Sequence, residues 1–242
     1  MQTGVLNLDL SKLSGLLRAE PEYLRSWVEH GDRERLALCL GIIVSGAGLY
    51  GAAIGYWRAP LGAFYVGLKL PLIILLTTVG NSLLNAMLAP LLGLNLGFRQ
   101  SFLAILMSFT IASAILGAFS PIAAFMIWNL PRSSIGPQAV GVTYHVILLS
   151  LVAIIAFAGI AANLRLVQLL ELLSGKVRIA RRLLIAWLAG NLFLGSQLAW
   201  ILRPFIGSPQ LPLQFVRPTA FQGNFYEAVF HSLMSVLRSQ SN

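Results

Sequence analysis

Charge is scarce in this 242-residue chain, and acid is scarcer still: charged residues make up 10% of it, and only eight are Asp or Glu against 17 Lys and Arg. A soluble globular domain gives roughly a quarter of its residues to charge, so this composition excludes an ordinary water-soluble fold. There is one cysteine, Cys39, so no disulfide forms within the chain and its redox compartment leaves no mark on composition. The three histidines, His30, His145 and His231, are far apart in sequence, and there is no His-Glu-x-x-His, no paired carboxylates, and no Gly-rich phosphate loop followed by Lys and Ser/Thr. The chain is therefore expected to be no enzyme and to hold neither a cofactor nor a metal.

What the chain has instead is 57% hydrophobic residues, gathered into five runs at 36–57, 70–92, 102–128, 140–164 and 183–202. Each is close to the ~20 residues a helix needs to cross the hydrocarbon core. None contains Asp, Glu, Lys or Arg, and a charge at the centre of a span costs about 2.5–3.5 kcal/mol on insertion scales. The expected fold class is all-α: a polytopic membrane bundle of five transmembrane helices with amphipathic interfacial helices. Three parts follow: a cytoplasmic amphipathic segment at 1–35, a five-span membrane domain at 36–203, and an extracytoplasmic tail with an amphipathic helix at 204–242.

The net charge of +9 would suggest nucleic acid in a soluble chain. Here it sets topology instead, and no nucleic-acid partner is expected. With the N-terminus in the cytoplasm, eleven basic residues fall inside and six outside (Arg58, Lys69, Arg132, Arg203, Arg217 and Arg238). Basic loops resist translocation, which places the N-terminus in the cytoplasm and the C-terminus outside a bacterial cytoplasmic membrane. Residues 1–35 show no apolar signal-peptide core, and Leu13, Leu16, Leu17, Leu24, Trp27 and Val28 recur there at helical spacing, as in helices lying on the membrane face. The segment 165–182 reads as a second surface helix with Leu166, Leu169, Leu170 and Leu173 on one side. Its basic end, Lys176, Arg178, Arg181 and Arg182, is expected to meet anionic inner-leaflet lipid.

Within the spans, Ala47, Gly51 and Gly55 repeat every four residues, the small-residue pattern of close helix contact in lipid. Asn81 and Asn85 share a helix face with Thr77 and Thr78. Such groups must face protein or water. Interhelical hydrogen bonding, worth about 0.6 kcal/mol each, is the plainer reading, and a polar path through Asn81, Asn85, Asn191 and Gln197 is the alternative. Pro121 interrupts the third run among Ser and Thr residues that can satisfy the carbonyl it frees. His145 stands as the one ionisable side chain with a claim on membrane depth.

The most unusual text lies at the end. It reads GSQLAWILRPFIGSP from 195 and FQGNFYEAVF from 221. This text resembles a little-characterised family of bacterial polytopic membrane proteins that is often named actin-binding WH2-domain-containing, and the layout is similar to the five-span Yip1 family. The resemblance implies a membrane bundle and brings no catalytic residues. Its actin label does not carry over, because the tail falls on the outer side by the charge count. Arg203 ends the fifth run, Asn224 and Glu227 have capping-box spacing, and Arg203, Phe225, Tyr226 and Phe230 form a candidate partner surface. The expected function is a non-enzymatic membrane scaffold or complex subunit, associating with other membrane subunits or with itself. A transporter, channel or lipid-handling protein is the alternative.

Overall fold

Five helices form where the five apolar runs stand, and most continue past the run that announces them. The computed structural model describes residues 26, 33–57, 59–91, 97–129, 141–203, 205 and 214–227. We number the helices α1 (Arg33–Gly55), α2 (Pro60–Leu91), α3 (Phe98–Trp128), α4 (Gly141–Ser174) and α5 (Val177–Leu202). All five include a stretch long and apolar enough to cross a membrane, so the chain is an integral membrane protein of the all-α class. No strand occurs among the described residues. Of the expected surface segment at 1–35, only residue 26 and residues 33–35, which open α1, are described; Trp27, the loop at 130–140, the side chain of His145, and Phe230 with the rest of 228–242 lie outside what is described.

Close backbone approach holds α1 in place. A π-turn at Ile43–Ala47 divides it. A Cβ on Gly46 would fall 2.2 Å from the Ser113 carbonyl oxygen of α3, and one on Gly51 or Gly55 would fall 2.6 Å from Val66 O or 2.3 Å from Gly62 O of α2. The small residues of the first span therefore serve contacts within the chain, on two faces at once. Tyr50, fully buried, donates its hydroxyl hydrogen bond to Leu151 O of α4 at 2.8 Å. Ile43, Ala47, Ile105, Leu106, Met107, Ile111 and Leu151 build the core around α3, the most enclosed helix; α5 is the least enclosed. On α3, Ser120 Oγ donates to Gly117 O at 2.7 Å, the carbonyl that Pro121 deprives of its helical donor.

Two expectations are corrected. The segment 165–182 is not a separate surface helix: α4 runs on to Ser174, and Leu166, Leu169 and Leu170 are fully buried against the bundle. The chain turns only at Gly175, whose φ of +62° is open to glycine and whose N–H donates to Glu171 O at 2.9 Å. The second helix also begins ten residues earlier than its uncharged run, at Pro60, and so takes Lys69 into its interior. The reason is physical. A bilayer penalises an exposed charge, and Lys69 is fully buried.

Candidate functional site

Two polar regions stand out, both on the α2–α5 pair. Along α2, Phe64, Leu68, Leu72, Leu76, Val79 and Leu83 are exposed and make the apolar face, while Thr77, Thr78, Asn81, Ser82 and Asn85 are buried on the other. Asn81 Nδ2 donates to Trp187 O at 3.0 Å and to Asn191 Oδ1 at 2.6 Å, and its Oδ1 accepts from Asn85 Nδ2 at 3.0 Å. The helices approach here because position 190 has no side chain: a Cβ on Gly190 would stand 2.2 Å from Asn81 Oδ1. Thr78 and Ser82 return their hydroxyls to carbonyls four residues back, Ile74 O and Thr78 O. Left over on this seam are Thr77 Oγ1, Asn85 Oδ1 and Trp187 Nε1, buried without a hydrogen-bond partner. Three of the four residues singled out from sequence thus meet; no hydrogen bond joins Gln197 to them among the described residues.

The second region is the end of the bundle where the chain leaves α5. Here the tail folds back. Lys69 Nζ reaches Gln214 O at 3.4 Å and lies 5.4 Å from the Phe215 ring centroid and 5.9 Å from that of Phe205. Phe215 packs edge-on against Tyr65 of α2 at 5.5 Å. Arg203, at the C-terminus of α5, stacks its guanidinium 3.3 Å from the Trp200 ring centroid. Arg203 Nη1 and Trp200 Nε1 are both buried without a hydrogen-bond partner. Arg217 is within electrostatic reach of Lys69 and Arg203 alike. Burial first, and then the Arg217 charge, pull the Arg203 pKa below its usual value; a guanidinium remains cationic all the same.

Farther along the tail, Gly223 takes a φ of +69° and Asn224 caps the turn that follows, its Oδ1 accepting from Glu227 N at 2.8 Å. Tyr226 stacks on Phe193 of α5 at 5.8 Å, with its hydroxyl 2.9 Å from Ser196 Oγ. Of the candidate partner surface, Phe225 and Tyr226 are exposed, Tyr226 is already stacked on α5 with Phe225 edge-on to it, and Arg203 is held on Trp200. Lys176, Arg178, Arg181 and Arg182 are all exposed at the opposite end of α5.

Sequence reasoning missed Lys69, Gln214, Arg217 and Gly190 as members of these regions. A signal for Lys69 existed: Leu61, Phe64, Tyr65, Val66 and Leu68 precede it as an apolar helical approach that an uncharged window cuts off. No cluster of three or more His, Cys, Asp or Glu side chains occurs among the described residues. The chain matches no protein-family model, no curated protein and no solved structure.

Proposed function

We propose that this protein is a non-enzymatic membrane scaffold or complex subunit of a bacterial cytoplasmic membrane, with its N-terminus in the cytoplasm and its tail outside. The observation that carries this reading is the closed amide seam. The polar stripe of α2 is the most conduit-like feature in the chain, and its central amide is committed to three bonds, two of them to α5. A path for solute would need those donors and acceptors turned toward water. The basic cluster Lys176, Arg178, Arg181 and Arg182 suits contact with anionic inner-leaflet lipid, and the resemblance of the tail to a bacterial polytopic family fits the same location.

A conduit or lipid-handling role has one observation in its favour: the unpartnered Thr77 Oγ1, Asn85 Oδ1 and Trp187 Nε1 on the same seam. Reconstitution separates the two. Purified protein in vesicles is assayed for ion leak and for movement of fluorescent phospholipid between leaflets, while the size of the complex extracted in mild detergent is read beside it. The scaffold reading expects no flux above empty vesicles and a discrete assembly larger than one chain. Flux that disappears in Asn81→Leu would reverse the assignment.

A further inference from the structure

We infer that the outward face of α5 holds one inner-leaflet anionic phospholipid as a fixed ligand, with its phosphate on Arg178, Arg181 and Arg182 and its acyl chains along Ile185, Ala189 and Leu192. This rests on the reading of the basic cluster as an inner-leaflet contact, and deepens it from a general attraction to a site.

Helical periodicity joins these six residues. α5 runs unbroken over Val177–Leu202, and counted from Arg178 each of the other five returns to within about 60° of one line along the helix. From Arg178 to Phe193 every exposed position of α5 lies on this face, while Ala180, Leu183 and Trp187 are fully buried on the opposite side. The bundle leaves the face to something outside it: 6% of the apolar window of α5 is buried, against 22% for the next least enclosed span.

The chemistry of the face selects its occupant. Arg178, Arg181 and Arg182 make no hydrogen bond or ion pair among the described residues, and a guanidinium fork matches phosphate oxygens in pairs. A soluble anion would account for the arginines and not for the apolar strip beside them. An anionic phospholipid joins both in one molecule, in the order the face presents them. A second copy of this chain fits less well, because rotation about the membrane normal would set Arg181 and Arg182 against their own equivalents.

The strip also has the height of one leaflet. Arg182 to Leu192 is roughly 15 Å at ~1.5 Å per residue, half of a hydrocarbon core of about 30 Å. There it meets a shelf. Tyr226 stacks on Phe193 at 5.8 Å with its hydroxyl 2.9 Å from Ser196 Oγ, so the tail occupies the same face from that level outward.

The test uses the full chain in phosphatidylcholine nanodiscs doped with a rising fraction of phosphatidylglycerol. Retained lipid is counted by native mass spectrometry, and a phosphatidylglycerol with a photoreactive acyl chain is mapped by peptide sequencing against the matching phosphatidylcholine. One phosphatidylglycerol per chain and labelling concentrated at 185–192 are expected. Arg181→Gln should weaken retention about tenfold or more, the loss for one hydrogen bond to a charged group. Arg33→Gln, which removes the same charge from the start of α1, should leave it unchanged. Both positions are exposed, so neither change threatens the fold. Arg181→Lys keeps the charge and loses the fork: a site predicts weaker retention, a diffuse attraction no change. Enrichment that Arg181→Lys leaves untouched, and that Arg181→Gln and Arg33→Gln lower alike, would overturn the site and keep the general inner-leaflet reading. No preference for phosphatidylglycerol in the unmodified protein overturns both, and labelling spread evenly over the spans overturns the placement on α5.

Discussion

Gly46→Ala is the sharpest perturbation of the fold. The added methyl would stand 2.2 Å from Ser113 O and 2.8 Å from Ser113 C, where ordinary contact begins at 3.4 Å. Both obstructing atoms are backbone of α3, so no rotamer change relieves the clash. Gly117 closes the same crossing from the other side, its own Cβ position only 2.9 Å from Gly46 Cα. α1 and α3 must then separate by roughly an ångström, a gap that forfeits a quarter to a half of each facing dispersion contact. Overpacking of this kind costs about 1–3 kcal/mol, and a backbone obstruction belongs at the upper end. Against it stands the helix-propensity gain of alanine over glycine, ~1 kcal/mol. The net expectation is a loss of about 2 kcal/mol, which for a chain this long lowers the unfolding midpoint by roughly 4–8 °C. Gly41→Ala is the matched control, because nothing lies within 4 Å of its Cβ position; it should be neutral or slightly stabilising. Thermal unfolding of both variants in one detergent, followed by far-UV circular dichroism, decides the matter. Equal midpoints would refute the close crossing of α1 and α3.

Replacing Asn81 and Asn85 together by Leu should destabilise the protein by about 2 kcal/mol, from three lost bonds at 0.6 kcal/mol or somewhat more each, while leaving the extracted assembly the same size by native mass spectrometry. Lys69→Met, which keeps the length of a buried side chain and removes its charge, should raise the unfolding midpoint or leave it unchanged, since burying a charge carries a desolvation penalty; a large loss would mean that the ammonium itself anchors the tail. Reporter fusions before Met1 and after Asn242 should read cytoplasmic and extracytoplasmic respectively, and the same side for both would remove a span. Truncation after Gly207 should leave the five helices inserted and shrink the extracted assembly; an assembly of unchanged size would show that the tail is dispensable for association.

The five spans were legible because hydrocarbon imposes a one-dimensional rule: long uncharged runs insert, and none of the five failed to appear as a helix. The Ser120 bond to the carbonyl freed by Pro121 and the Asn224 cap were also readable, because each depends on neighbours a few residues away, whereas the repeat of Gly51 and Gly55 announced a close helix contact without saying that its partner is α2 of the same chain. Lys69 was not, for the opposite reason. Its shelter comes from Phe205, Gln214 and Phe215, more than a hundred residues later. The continuation of α4 to Ser174 was hidden similarly: Leu166, Leu169 and Leu170 fit a membrane surface as well as a bundle, and an amphipathic pattern does not name what covers it. At Gly190 the glycine matters only because Asn81 faces it.

α2 shows why the two polar regions must do different work. Its amides sit where they can be closed by α5, and neutral groups joined this way cost little in lipid once bonded. Lys69 differs in carrying a charge, and Arg217 within electrostatic reach carries the same sign. Aromatic faces and the Gln214 carbonyl cover it, and both attract a cation. A fold that needed only to bury α2 could place leucine there and lose nothing in packing. Lys69 instead ties α2 to the tail that returns over it, through Gln214 O and the rings of Phe205 and Phe215.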